Sequence, residues 1–273
     1  MISRFTQYIE SLLSTGVKLV NTVTVPANGI EEINLLYLDE CVILSHSTNG
    51  NIILREYMNR DEKNLYAVVK QEKNQINVQH GVRSIVPIKG FLELLIPSDM
   101  VKTCNIKTMN GSIYSEDIWS LKAFSGDSNG GDIFMQFLSA DTVKLSSVIG
   151  DISLGRIAGQ INLQTGRGSI FIHQALGCGN IQTTSGNIET HFIAVNGPIN
   201  VASDAGNINL YLPPDYVFEV NAKTDLGIIN YGYCENIIDT ANQNRHDFWR
   251  KKAHHMIHIT NRSGNICIKD NSE

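Results

Sequence analysis

A Gly-x-Ile unit returns at a near-constant interval along the middle of this 273-residue chain, at Gly111-Ser112-Ile113, Gly131-Asp132-Ile133, Gly150-Asp151-Ile152, Gly168-Ser169-Ile170, Gly186-Asn187-Ile188 and Gly206-Asn207-Ile208. Successive isoleucines lie 20, 19, 18, 18 and 20 residues apart. A period that regular is the mark of a solenoid, in which each repeat buries its apolar face only by stacking on the next. A second apolar series, Ile106, Leu121, Val143, Ile161, Ile181 and Ile199, interleaves with the first, so that an apolar unit arrives about every nine residues.

Within each unit the apolar residues come two apart, as in Ile152/Leu154, Ile161/Leu163, Ile170/Ile172 and Ile208/Leu210. Residues i and i+2 of a strand share a face, so these pairs point inward and the residue between them points out. Each unit of about nine residues thus reads as one short strand plus one turn. The glycine two places before the inward residue suits a bend where φ is positive or where backbones approach too closely for a Cβ. The expected architecture is all-β, a single-stranded parallel β-helix or β-solenoid. Its winding is expected to be right-handed from the crossover rule for parallel strands.

The ends depart from the period. Ile2, Phe5, Ile9, Leu12 and Leu13, followed by Gly16, describe a short amphipathic helix within residues 1–20. Such a helix can cap the open core and unpaired edge of a solenoid; the other reading is a targeting or membrane-surface segment. Residues 21–103 alternate like strands but irregularly, and are read as atypical, wider first coils. Residues 104–230 form the regular coils, residues 231–256 break the period as an insertion, and Ile257/Ile259 with Gly264-Asn265-Ile266 make a final coil over 257–273.

The bulk numbers narrow the function little. An apolar fraction of 42% and a charged fraction of 18% fit a folded chain, and a net charge of -5 argues against general nucleic-acid binding. Five widely spaced cysteines without a Cys-x-x-Cys pair fit a reducing compartment. No apolar run reaches the length of a membrane span and no secretory leader is evident, so the expected location is the cytoplasm, with the mitochondrion as the alternative.

The recurring Gly-Asn/Asp-Ile strands, as in Thr184-Ser185-Gly186-Asn187-Ile188, together with the Ile96-Pro97-Ser98-Asp99 step and the closing Ser263-Gly264-Asn265-Ile266, resemble the bacterial putative-adhesin family. That family is a β-helix domain of unknown function with animal relatives. The resemblance spans about residues 40 to 270 and implies a fold, with no catalytic residues to carry over.

Three groups of outward residues are candidates for chemistry. Ser112, Asp132, Asp151, Ser169, Asn187 and Asn207 form one column, in which Asp132 and Asp151 would stand about 5 Å apart at the usual strand spacing, near the separation of a retaining glycosidase pair. The competing reading is a ladder of short polar side chains bonding the backbone at a turn. Lys107, Lys122 and Lys144 would stack as a positive stripe able to meet an anionic partner. The insertion carries Trp249, Arg250, Lys251 and Lys252, a basic aromatic cluster suited to contact with another macromolecule, and His246, His254, His255 and His258 nearby lack a cysteine at metal-ligand spacing. No metal, cofactor or enzymatic motif is predicted. The function that follows is a non-catalytic scaffold whose partner is another protein. The alternative is a carbohydrate-active β-helix enzyme centred on Asp132 and Asp151, which would require a groove lined by carboxylates from adjacent coils.

Overall fold

The structure, a computed structural model, describes residues 4–83, 88–232, 237–239 and 255–271. A helix, α1 (Arg4–Ser14), precedes a first group of strands: β1 (Lys18–Pro26), β2 (Glu32–Leu36), β3 (Cys41–His46), β4 (Asn51–Met58), β5 (Val68–Glu72), β6 (Gln75–Gln79), β7 (Gly90–Ile96) and β8 (Thr103–Thr108). The regular part follows as β9 (Ile113–Ser128), β10 (Ile133–Ser147), β11 (Ile152–Thr165), β12 (Ile170–Ser185) and β13 (Ile188–Ala205). The last group is β14 (Ile208–Leu212), β15 (Phe218–Leu226), β16 (Ile229–Tyr231), β17 (Ile237–Asp239), β18 (His255–Ser263) and β19 (Ile266–Asp270). All of these strands belong to one continuous sheet wound into an open solenoid.

Strands β9 to β13 are 14 to 18 residues long, and each is a whole coil. The sequence pattern suggests two strands and two turns per coil. Instead, parallel pairing runs through one corner without a break: β11 meets β12 from Ile152↔Ile170 to Thr165↔Thr183. Only the Gly-x-Ile corner is a true turn. The Ile113, Ile133, Ile152, Ile170, Ile188, Ile208 and Ile266 side chains stack in one fully buried column, and burying each such side chain favours the fold by about 1.5–3 kcal/mol.

The second inward series differs from the spacing reading. Register gives Cys104, Phe124, Val143, Ile161, Gly179 and Ile199 in one column, and Ile106, Gly126, Leu145, Leu163, Ile181 and Val201 in the next. Leu121 instead faces Ala140, three residues before the column, and the register also shifts by one residue between Met135 and Phe137. A third inward column, Trp119, Leu138, Ile157, Ala175 and Phe192, fills the untwisted corner. In β11 this corner places Ile157 three residues after Leu154, which breaks the two-residue alternation.

The tight turn is held by a column of buried hydroxyls. Thr165 Oγ1 accepts from Gly168 N at 3.1 Å and donates to Gly150 O of the preceding coil at 3.0 Å. Ser147 does the same between Gly150 N and Gly131 O, and Ser128 between Gly131 N and Gly111 O. The glycine is required by proximity: a Cβ on Gly168 would lie 2.0 Å from Gly150 O, and one on Gly150 would lie 2.2 Å from Gly131 O. Within this column of tight turns, positive φ is found at the later ones, Gly206 and Gly264.

Both ends are permuted relative to the sequence. At the start, β2 lies between β6 and β8, and β3 pairs with both β7 and β9, so the 32–46 coil sits between segments that follow it in the chain. Antiparallel pairs β1–β4, β4–β7 and β5–β6 extend this end, which is therefore more than a set of wider coils. At the other end, β18 pairs with both β13 and β15, and β19 with both β14 and β16. The coil that is last in sequence is thus inserted between the 188–212 and 218–231 coils.

A buried carboxylate ties the first strands together. Glu56 on β4 is 1% exposed; its Oε1 accepts from Tyr37 Oη at 2.7 Å, and its Oε2 accepts from Asn21 Nδ2 at 2.7 Å and Ala67 N at 2.8 Å. Burial, with the Glu56 charge beside it, pushes the Tyr37 phenol well above its usual range, so it stays a donor. Arg83 Nη2 lies 2.7 Å from Oε1 of the buried Glu40 in a separate ion pair, off the angle of a hydrogen bond, while Nη1 donates to Leu65 O.

Helix α1 covers a wall of the solenoid rather than its open end. Ile9 and Leu12 pack with Val17, Ile43 and Tyr57 against Cys41 and Phe91, which are outward residues of β3 and β7. The helix spacing read from the sequence is right, but its apolar face finds a side of the sheet.

Gly168→Ala should cost about 1–3 kcal/mol or more in urea unfolding, since backbone cannot retreat from the added methyl. Thr165→Val should cost about 1–3 kcal/mol by leaving the Gly168 N–H and Gly150 carbonyl unpaired, whereas Thr165→Ser should cost much less. Full burial pushes the Cys104 thiol up to about 12. Alkylation at pH 8 is therefore expected to spare Cys104 in the folded protein and to modify it in urea, with peptide mapping as the readout.

Candidate functional site

The outward column beside the tight turn is an unbroken ladder. Asp151 N donates to Asp132 Oδ1 at 2.8 Å, Ser169 N to Asp151 Oδ1 at 2.7 Å, and Asn187 N to Ser169 Oγ at 3.1 Å. Asn207 N donates to Asn187 Oδ1 at 2.8 Å, and Asn265 N to Asn207 Oδ1 at 3.0 Å. Each short side chain accepts the backbone N–H of the next coil, so Asp, Ser and Asn serve alike. Asp132 and Asp151 are both exposed, in equivalent positions, with equivalent bonds. A glycosidase pair depends on environments that differ enough to divide acid from nucleophile.

The three lysines are exposed but do not form a stripe. Lys107 pairs in register with Asp127, to which its Nζ makes a 3.4 Å ion pair, while Lys144 faces Ser125 and Asn162. Lys122 lies on neither row, next to Leu121 and beyond the extra residue that enters β9 between Ser115 and Ile118. The expected stacking followed from the Leu121 alignment and fails with it. Trp249, Arg250, Lys251 and Lys252 lie outside the described residues, as do His246 and His254. His255 packs its ring against Tyr216 at 5.7 Å, and His258 faces Asn200 and Asn221 across neighbouring strands. Among the described residues no group of three His, Cys, Asp or Glu side chains could hold a metal ion.

A feature not anticipated lies on the wall that follows the tight turn. The outward residues between the paired inward ones form the row Tyr114, Phe134, Ser153, Phe171, Glu189 and Asn209. One step further along the strands runs Gln136, Gly155, His173, His191 and Tyr211. Parallel register stacks like side chains at the coil spacing: Phe134 lies on Tyr114 with ring centroids 4.9 Å apart and planes 18° apart. His191 lies on Tyr211 at 3.9 Å and 7°, with His173 6.1 Å from His191.

Two concavities of about 790 Å³ and 470 Å³ share Phe134, Gln136 and Ser153, and together make one open groove across these coils. Ser153 and Gly155 are the small residues of the two rows that line it. Asp39, Glu116, Asp132, Asp151 and Glu189 line it, and among the described residues no lysine or arginine does. The groove lined by carboxylates that an enzyme would require is thus present, but its carboxylates are joined by an aromatic row. An outward Tyr, Phe and Phe at one repeat position was the available sequence signal; attention to the Gly-x residue alone passes over it.

A family model described as Toastrack DUF4097 matches residues 30–269. Among solved structures, the chain is similar to a putative adhesin from Parabacteroides distasonis ATCC 8503, with 11% identity and a TM-score of 0.58 over 92% of this chain and 97% of that one. It is also similar to a putative adhesin from Parabacteroides merdae ATCC 43184, with 11% identity and a TM-score of 0.54 over 92% and 96% of the two chains. These likenesses concern the fold. No curated protein sequence matches the chain. No helix among the described residues is long and apolar enough to cross a membrane.

Because Asp151 serves the ladder through an oxygen that asparagine also has, Asp151→Asn should leave the melting temperature nearly unchanged. Asp151→Ala should cost about 0.5–1.5 kcal/mol, the value of one exchanged hydrogen bond, in a chemical denaturation series.

Proposed function

Since this chain belongs to the Toastrack DUF4097 family, a description that names no reaction, we propose that it is a non-catalytic β-solenoid scaffold that holds another protein along the aromatic and acidic groove. The observation that carries this reading is the wall itself. Tyr114, Phe134 and Phe171 project outward from the sheet; Tyr114 is buried at 9% exposure and Phe134 half-buried beneath the row's exposed member, Phe171, at 40%, and rigid aromatic side chains of this kind anchor protein contacts at low entropic cost. A sheet face of this rigidity presents its contacts already ordered, which reduces what binding must offset. The adhesin-like structural neighbours are compatible with an interaction role and add nothing finer.

A second reading, a carbohydrate-active enzyme using Asp132 and Asp151, draws support from the groove in which both stand. The shared ladder role of the two carboxylates weighs against it. The lysines Lys107, Lys122 and Lys144 and the cluster Trp249, Arg250, Lys251 and Lys252 stay as secondary candidate contacts for a partner.

A photo-crosslinking residue placed at Gln136, in the groove, and at Gln164, on another wall, tests the scaffold reading in native cells. A discrete cross-linked polypeptide is expected from position 136 and not from 164, and is expected to be lost with Phe134→Ala/Phe171→Ala. Cross-links indifferent to position, or unaffected by the double substitution, would overturn it. Glycan hydrolysis that vanishes with Asp132→Asn/Asp151→Asn would favour the second reading.

A further inference from the structure

The aromatic row has one rung missing. Tyr114 and Phe134 stack at 4.9 Å with nearly parallel planes, so the Phe134 ring lies across the solenoid axis with its second face turned toward the next coil. That coil supplies Ser153, and the one after it supplies Phe171. Beside the gap, Gly155 stands between Gln136 and His173, and a Cβ there would meet Gln136 O at 2.4 Å. Two strand spacings of about 4.8 Å separate the Phe134 and Phe171 backbones. A flat group placed over Ser153 would therefore stack at about the distance at which Phe134 already stacks on Tyr114.

The charge around this gap selects among flat groups. Glu189, whose Oε1 lies 3.5 Å from His191 Nε2, lines the same concavity, Asp132 and Asp151 line the adjoining one on the turn side, and Glu116 stands on β9, two coils below the gap. Among the described residues lysine and arginine are absent from the lining; Arg156 stands on the outer corner one residue beyond Gly155. A groove of this sign with an aromatic face suits a delocalised planar cation, which gains from both the ring quadrupole and the carboxylates. An ammonium group, compact and strongly hydrated, would leave the slot unfilled.

We propose that the slot over Ser153, between Phe134 and Phe171, receives the guanidinium of an arginine side chain presented by a partner polypeptide. This rests on the groove being the partner-binding surface and names the group it would recognise. The guanidinium replaces the missing rung, completing a stack from Tyr114 to Phe171, and the surrounding carboxylates compensate its charge. Ordering one such residue fixes the register of the partner along the wall.

The test uses the full chain and two fluorescently labelled pentapeptides, acetyl-Gly-Gly-Arg-Gly-Gly-amide and its lysine counterpart, followed by anisotropy at low salt. The arginine peptide should bind about fivefold or more tightly than the lysine peptide. Ser153→Phe, which supplies the rung from the protein itself, should abolish that preference while leaving the melting temperature at or above that of the unmodified chain. Phe171→Ala should weaken arginine binding from the other side, and Glu189→Gln should weaken both peptides. Equal affinity for the two peptides, no binding of either, or arginine binding that survives Ser153→Phe would overturn the slot. A partner still cross-linked from position 136 in that event would leave the scaffold reading standing; a bound arginine peptide with no groove-dependent cross-link would do the reverse.

Discussion

The close approach of one coil to the next at the tight turn is the constraint on which the rest of the structure depends. At Gly111, Gly131, Gly150, Gly168 and Gly186 any Cβ would fall 1.9 to 2.4 Å from backbone of the preceding coil. That contact is possible only without a side chain, and it sets the height of every coil at the same place. Above the glycine, Ser or Thr hydroxyls bridge the turn to the coil below; beside it, Asp, Ser or Asn accepts the N–H of the coil above. Buried donors and acceptors are thereby matched on both sides of a bend that would otherwise strand them. The isoleucine that follows enters the core at a fixed phase, which explains why the Gly-x-Ile unit is the clearest signal in the chain.

What this constraint made legible was the axis of the fold: the coil period, the inward isoleucines from Ile113 to Ile266 and the polar ladder from Ser112 to Asn265. The other side of each coil was harder to read because no turn resets its phase. In β9 the residue in register with Val143 is Phe124 and not Leu121, and in β12 Gly179 occupies a place where the pattern expects an apolar residue. Lys107, Lys122 and Lys144 were aligned on that faulty phase and so were separated by the true one. The permuted ends were not legible because spacing records order along the chain, whereas hydrogen bonding decides which coil lies on which. The aromatic wall was readable in principle from Tyr114, Phe134 and Phe171. Their role depends on Ser153 being small between them, a property of the stack rather than of any one residue.

The division between what the repeat requires and what it leaves open has a bearing on the comparisons. Identity of 11% to the two Parabacteroides structures accompanies TM-scores of 0.58 and 0.54. A glycine, a small hydroxyl or amide residue and an aliphatic inward pair are enough to repeat the coil, and these are satisfied by many sequences. The outward positions of the walls carry no such demand. They are free to differ between members, so that a shared fold says little about what each surface meets.

The inserted position of β18 and β19 carries a consequence for how the molecule is assembled. The coil formed by β15 and β16 meets the body of the solenoid through strands made at least 24 residues later in the chain, from His255 onward. During synthesis that coil lacks its native neighbour until β18 and β19 emerge and pair between it and β13–β14. Contacts of such long sequence separation are slow to close. The growing chain therefore exposes two unpaired edges at this end for as long as its last residues are missing, and nucleation from the central coils, where neighbours in sequence are neighbours in space, is the route by which it can be held in register meanwhile.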